Sequence, residues 1–160
     1  MKFEIRKSSL KQSLEASSDA LLVLWMDASS ATGPFADWLL QARKQGDFKP
    51  VVGSTLQSYG MPQTRSRHVV AVACAQGRPA DVRKAVRSAW AALRGAPVKQ
   101  IAVHWAGEGK PSDEVIKAIV SALAEASYVY ETTLSKPRRR NLARVQIGVP
   151  LLDAKSKLAI

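Results

Sequence analysis

Six stretches of the chain alternate polar and apolar residues or run apolar throughout, and between them apolar residues tend to recur every three or four positions. Lys2–Lys7 (KFEIRK) alternates, the mark of a strand buried on one face. Ser8–Ser18 reads as a polar connector. Asp19–Asp27 (DALLVLWMD) is a continuous apolar run closed by an acid at each end, which predicts a strand covered on both faces. Phe35–Lys44 then predicts a helix that begins after Gly33-Pro34 and stops at Gly46. Val51–Leu56 predicts a short strand, Gly60-Met61-Pro62 a turn, and Arg67–Ala75 (RHVVAVACA) a second buried strand.

A longer helix is predicted over Ala80–Arg94, entered by Pro79 and left at Gly95, with Val82, Val86, Ala89 and Leu93 on its inner face. At ~100° per residue, Arg83, Arg87 and Arg94 fall within about 40° of one another on a flank, with Trp90 at its border. Gln100–Trp105 (QIAVHW) predicts a strand. Ser112 caps a helix running to about Tyr130, with Val115, Ile116, Ile119, Val120 and Leu123 as its stripe and Asp113 and Glu114 complementing its dipole. Ala143–Leu151 is the last strand. Alternating strands and helices, with strands apolar on both faces, define an α/β domain. The expected architecture is a three-layer αβα stack with a mixed, mostly parallel sheet flanked by helices. Residues 1–152 form this domain, and 153–160 form a short C-terminal tail.

Composition changes the picture in one respect. A chain of 160 residues suits one domain with a substantial core. No apolar run approaches the ~20 residues that cross a bilayer, so no membrane partner of that kind is expected. MKFEIRKSSLKQ has no signal core. The single cysteine, Cys74, excludes an internal disulfide and agrees with a cytoplasmic setting. The charge is the unusual quantity: Lys and Arg total 24 against 13 Asp and Glu, a net +11. Such a field favours polyanions, whether nucleic acid, an acidic protein or an anionic surface.

Catalytic constellations are missing from the pattern. His68 and His104 sit within apolar strands without acidic neighbours, and Cys74 lies in VAVACAQG as a buried thiol. GEGKPSD lacks the spacing of a phosphate loop. No cofactor and no metal site is implied. Two basic features remain. One is Lys136, Arg138, Arg139, Arg140 and Arg144, beside Tyr128 and Tyr130. The other is the Arg83, Arg87 and Arg94 flank beside Trp90. Guanidinium forks suit phosphate oxygens, and neighbouring aromatics can stack on bases.

The order of segments carries a resemblance. GDFKPVVGSTL (46–56), RHVVAVACAQGR (67–78), VRKAVRSAWAALRG (82–95) and SYVYETTLSKPRRR (127–140) together resemble the N-terminal domain of the M17 leucyl aminopeptidases. The match runs in order over nearly the whole chain, and its specificity lies in that order. It implies a macro-domain-like αβα fold. In that family a two-metal active site belongs to a C-terminal domain with an NTDEGR-type motif, which this sequence does not contain. The family's catalytic residues therefore have no counterpart here, and the chain on its own is expected not to be an enzyme. The family's GLG turn is replaced by Ala73-Cys74-Ala75-Gln76-Gly77, which places larger side chains where a nucleotide would approach.

The resemblance and the charge together imply a non-catalytic binding or regulatory module, with nucleic acid as the leading partner because some bacterial members of the family bind DNA. Lys136, Arg138, Arg139, Arg140 and Arg144 are the expected phosphate contacts, with Arg83, Arg87 and Arg94 as a second patch. The alternatives are an oligomerisation or docking module that meets a full-length aminopeptidase or its own copies, an excised N-terminal domain of such an enzyme, and a macro-like nucleotide binder.

Overall fold

The computed structural model describes residues 2–62, 64–93, 96–107, 109–132 and 142–150, with residues 127–132 as backbone only. The elements run β1 (Lys2–Lys7), α1 (Leu10–Glu15), β2 (Ala20–Trp25), α2 (Pro34–Lys44), β3 (Thr55–Tyr59), β4 (His68–Ala73), α3 (Pro79–Ala92), β5 (Gln100–Trp105), α4 (Asp113–Thr132) and β6 (Arg144–Val149). The six strands form one sheet in the order β1-β6-β5-β2-β4-β3. Every neighbouring pair is parallel except β3 with β4.

The fold is built around β2. Its six residues, ALLVLW, are all buried, and both of its edges are paired, to β4 on one side and β5 on the other. Alternation sends Leu22 and Leu24 into one core with Val82 and Val86 of α3 and Ile119 and Leu123 of α4. Leu21 and Val23 enter the other core, against Phe35 and Leu39 of α2. The result is the expected mixed, mostly parallel sheet between helical layers. Burying each Leu or Val contributes roughly 1.5–3 kcal/mol, so this strand alone anchors both layers.

Two expectations are corrected. Ser8–Ser18 is not wholly a connector, because α1 forms within it. Ser9 Oγ accepts from the Gln12 backbone N–H at 3.2 Å, and the Ser9 N–H donates to Gln12 Oε1 at 2.9 Å. This reciprocal capping box satisfies the first turn of a helix only 6 residues long. The strand expected at Val51–Leu56 lies at Thr55–Tyr59. Residues 51–54 form a turn instead, closed by Ser54 N–H to Val51 O at 2.9 Å, and Val51 is 60% exposed. The other elements fall within a few residues of their predicted bounds, as helix and strand ends generally do.

Asp19 ties three strand starts together. Its Oδ2 accepts from the backbone N–H groups of Lys99 at 2.8 Å and Gln100 at 3.0 Å, and its Oδ1 accepts from Arg67 Nη2 at 2.9 Å. Partial burial pushes this carboxyl upward, and the two backbone donors with Arg67 overcome that and hold it below the usual range. Asp19→Ala strands these donors and is expected to cost about 1–3 kcal/mol, read as a lowered urea midpoint with unchanged slope.

Candidate functional site

Of the three arginines expected on the α3 flank, Arg83 and Arg87 fall within the described residues and lie on one exposed side of the helix. The helix buries Val82, Ala85, Val86 and Ala89, which turns Arg83, Lys84 and Arg87 outward. Arg87 Nη2 donates to Glu125 Oε2 of α4 at 2.8 Å, and Arg83 Nη1 lies 4.0 Å from Glu125 Oε1. Two arginines thus share one carboxylate, with Lys84 exposed beside them. Both arginines are about half exposed, at 44% and 53% for their side chains, where such pairs are weak and exchange readily for a better anion. Lys84 was not singled out from the sequence, although its position next to Arg83 on the helix was the signal for it.

Arg144 lies elsewhere. Its neighbours Val145, Ile147 and Val149 enter the core beneath α3 and α4, so Arg144 faces the opposite side of the sheet. Its Nη2 donates to Glu4 Oε2 at 2.7 Å, and Lys2 and Arg6 approach the same carboxylate at 3.3 and 3.7 Å. The Arg144 hydrogen bond, aided by Lys2, holds the Glu4 carboxyl below its ordinary range. The structure therefore does not bring Arg144 together with Arg83 and Arg87. Lys136, Arg138, Arg139, Arg140 and Arg94 lie outside the described residues. Lys2 and Arg6 are cations that the sequence reading passed over; the alternation in KFEIRK places them on one strand face with Glu4.

Ligands of open α/β sheets gather beyond the carboxyl ends of the strands where the chain reverses direction across the sheet. Here that place lies beyond β2 and β5, and side chains fill it. Trp105 is 7% exposed and Met26 5%. A Cβ on Gly77 would stand 2.7 Å from the Trp105 ring, and one on Gly107 would stand 2.8 Å from it. These two glycines let the backbone close over the indole. In the same turn Ala75 adopts φ +50°, a left-handed conformation that costs an L-residue about 1–2 kcal/mol. Cys74 is fully buried, and burial followed by the nearby Asp81 charge pushes its thiol up to about 12, so the thiolate is not accessible near neutrality.

The histidines have distinct settings. His68 opens β4, with its ring edge-on to Tyr59 at 5.1 Å. His104 is 3% exposed on β5, and its Nδ1 is 2.8 Å from Ser13 Oγ of α1, which in turn is 2.9 Å from Ser8 Oγ. Burial pulls the imidazole down to about 4, so it is neutral at physiological pH. Among the described residues no group of three or more His, Cys, Asp or Glu could hold a metal ion. No described helix is long and apolar enough to cross a membrane.

The arrangement is that of a macrodomain-like α/β unit. Solved relatives by shape include a tomato leucine aminopeptidase mutant, K354E, with a TM-score of 0.73 at 16% identity, which this chain matches over 100% of its own length and 34% of that chain. A Trypanosoma brucei macrodomain in complex with ADP-ribose gives a TM-score of 0.64 at 12% identity, over 98% of this chain and 66% of the other. At such identities the likeness shows the fold. Sequence comparison is more specific: residues 22–137 match the model of the cytosol aminopeptidase family, N-terminal domain. A probable cytosol aminopeptidase from Polaromonas sp. (strain JS666 / ATCC BAA-500) is 35% identical over 151 residues, 93% of this chain. One from Albidiferax ferrireducens is 33% identical over 153 residues. The chain belongs to the cytosol aminopeptidase family through its N-terminal domain, and it spans only 30% of the length of the Polaromonas relative.

Two measurements check this geometry. Ala75→Gly relieves the left-handed alanine and is expected to stabilise the protein by about 0.5–1 kcal/mol, after allowing for the freer unfolded chain. His104 is neutral when folded and binds a proton near pH 6.5 when unfolded, so stability is fully present above about pH 6.5. It falls by about 3 kcal/mol as pH drops to about 4, where the folded form also protonates. Urea titrations across this window should show the slope in the parent chain and a flatter one in His104→Asn.

Proposed function

We propose that this chain is a non-catalytic, cytoplasmic binding module that holds a polyanion, with nucleic acid the leading candidate. The observation that carries the reading is the solvent-facing flank of α3, where Arg83 and Arg87 share the carboxylate of Glu125 beside the exposed Lys84. A phosphate arriving there meets side chains already turned outward, on a chain of net +11. The segment containing Lys136, Arg138, Arg139 and Arg140 would extend the contact along the backbone of the partner. Trp105 in the strand-end crevice favours this surface over a nucleotide pocket.

A second reading follows from the family match: the domain docks onto a full-length aminopeptidase, or onto its own copies. Aminopeptidase activity would then belong to a longer parent or to the partner. Fluorescence anisotropy with duplex and single-stranded DNA at two salt concentrations separates the readings. Polyanion binding predicts an affinity that falls steeply with salt. Arg83→Ala with Arg87→Ala should weaken it about tenfold, and alanine at Arg138, Arg139 and Arg140 should weaken it further. No binding at low salt refutes the nucleic-acid reading, and nuclease-resistant co-purification with an aminopeptidase supports the second.

A further inference from the structure

The two edges of the sheet, β1 and β3, are defended differently. β1 reads KFEIRK, so Lys2, Arg6 and Lys7 stand along it with Glu4, and a second copy arriving there meets like charge. β3 reads TLQSY, with no charge, no proline and no glycine, on a chain of net +11. Among the described residues the exposed large apolar side chains are Leu40, Val51 and Tyr59. Two of these bracket β3: Val51 lies in the turn that enters it, and Tyr59, 73% exposed, closes it. An uncharged edge of this kind is a template for another strand.

Hydrogen bonding shows which backbone groups that edge leaves over. Ala73 N–H donates to Ser54 O and Gly60 N–H donates to Arg67 O, both at 2.9 Å. Antiparallel partners bond at every second position, so Ser54, Leu56, Ser58 and Gly60 turn their backbones toward β4. His68, opposite Tyr59, gives its N–H to Asp19 O instead, at 3.2 Å. Thr55, Gln57 and Tyr59 therefore point their N–H and C=O groups away from the sheet. Gln57 is the middle residue of the strand. A two-fold axis beside it pairs Gln57 with the partner's Gln57 and Thr55 with the partner's Tyr59, and every outward group on both strands is then used. Sliding the strands by two residues leaves some of them unused.

We infer that β3 is a self-association edge, at which two copies of this chain pair their β3 strands antiparallel and join their sheets into one. The contact is isologous, as a two-fold requires. Each Tyr59 ring lies on the same sheet face as the partner's Thr55, an aromatic and β-branched pair that stabilises cross-strand contact. A second copy suits the edge better than a foreign strand, because the bonding pattern is symmetric about Gln57 and TLQSY carries no charge to select a partner of opposite sign. The inference rests on the own-copy form of the second reading above and gives it a surface.

Sedimentation velocity on the full 160-residue chain tests it. Between about 5 and 500 μM protein, a monomer–dimer exchange with a Kd on the order of 10–100 μM is expected, as suits a contact at the small end of specific interfaces. Added salt should tighten the dimer by screening the repulsion between two chains of net +11, the reverse of its effect on phosphate binding. Backbone hydrogen exchange carries the signature. The amides of Thr55, Gln57 and Tyr59 gain protection with protein concentration, and those of Leu56 and Ser58 are protected throughout. Gln57→Pro removes an outward N–H that β4 does not use, and Gln57→Lys sets like charges opposite each other at the axis. Each should weaken the dimer at least about tenfold, and Gln57→Lys keeps the test open if the proline variant fails to fold. A chain that stays monomeric at the highest concentration overturns both the inference and the own-copy reading. A dimer indifferent to Gln57→Lys, or without protection of the outward amides, overturns the edge assignment alone. Protection that appears only on adding a full-length aminopeptidase assigns the edge to that enzyme and overturns the second copy as its occupant.

Discussion

The structure depends on a strand with no solvent side. β2 buries all six of its side chains and pairs along both edges, so every other element is placed by what it must do for that strand. β4 and β5 satisfy its backbone, α3 and α4 cover one of its faces, and α2 covers the other. A strand of this kind cannot slip by one residue and show a polar side, because it has none, so its register needs another reference. Asp19 supplies one immediately before the strand, since its carboxylate accepts the backbone of β5 and the guanidinium of Arg67 at the start of β4.

Most of this was legible in the residues because the fold rests on long, strongly patterned segments. ALLVLW and VVAVA are apolar without interruption, and the α3 and α4 stripes recur at helical spacing. What escaped was local. α1 depends on a four-residue cap, Ser9 to Gln12, inside a polar stretch whose hydrophobic signal is faint. β3 is an edge strand of mixed polarity, so pattern alone could not separate its start from the turn before it. That Arg83 and Arg87 share a side of α3 was legible, since helical geometry fixes which residues face together. Its counter-charge was not, because Glu125 lies 38 positions from Arg87 and meets it only through the packing of α3 on α4. The position of Arg144 across the sheet likewise emerges only from strand alternation within a known register.

The two charged surfaces share a design in which several cations gather around one acid. On α3 the acid is Glu125, and on the β1–β6 edge it is Glu4. In each cluster the cations outnumber the acid, so the surface keeps a net positive charge.

The packing of Trp105 beyond β2 and β5 has a thermodynamic consequence. When a fold carries a ligand in such a crevice, its stability rises with ligand concentration, because the ligand binds only the folded form. Here an indole from the chain itself occupies that space, held between Gly77 and Gly107 against Met26. Its effective concentration is fixed by covalent connection, so its contribution is the same in a starved cell as in a fed one.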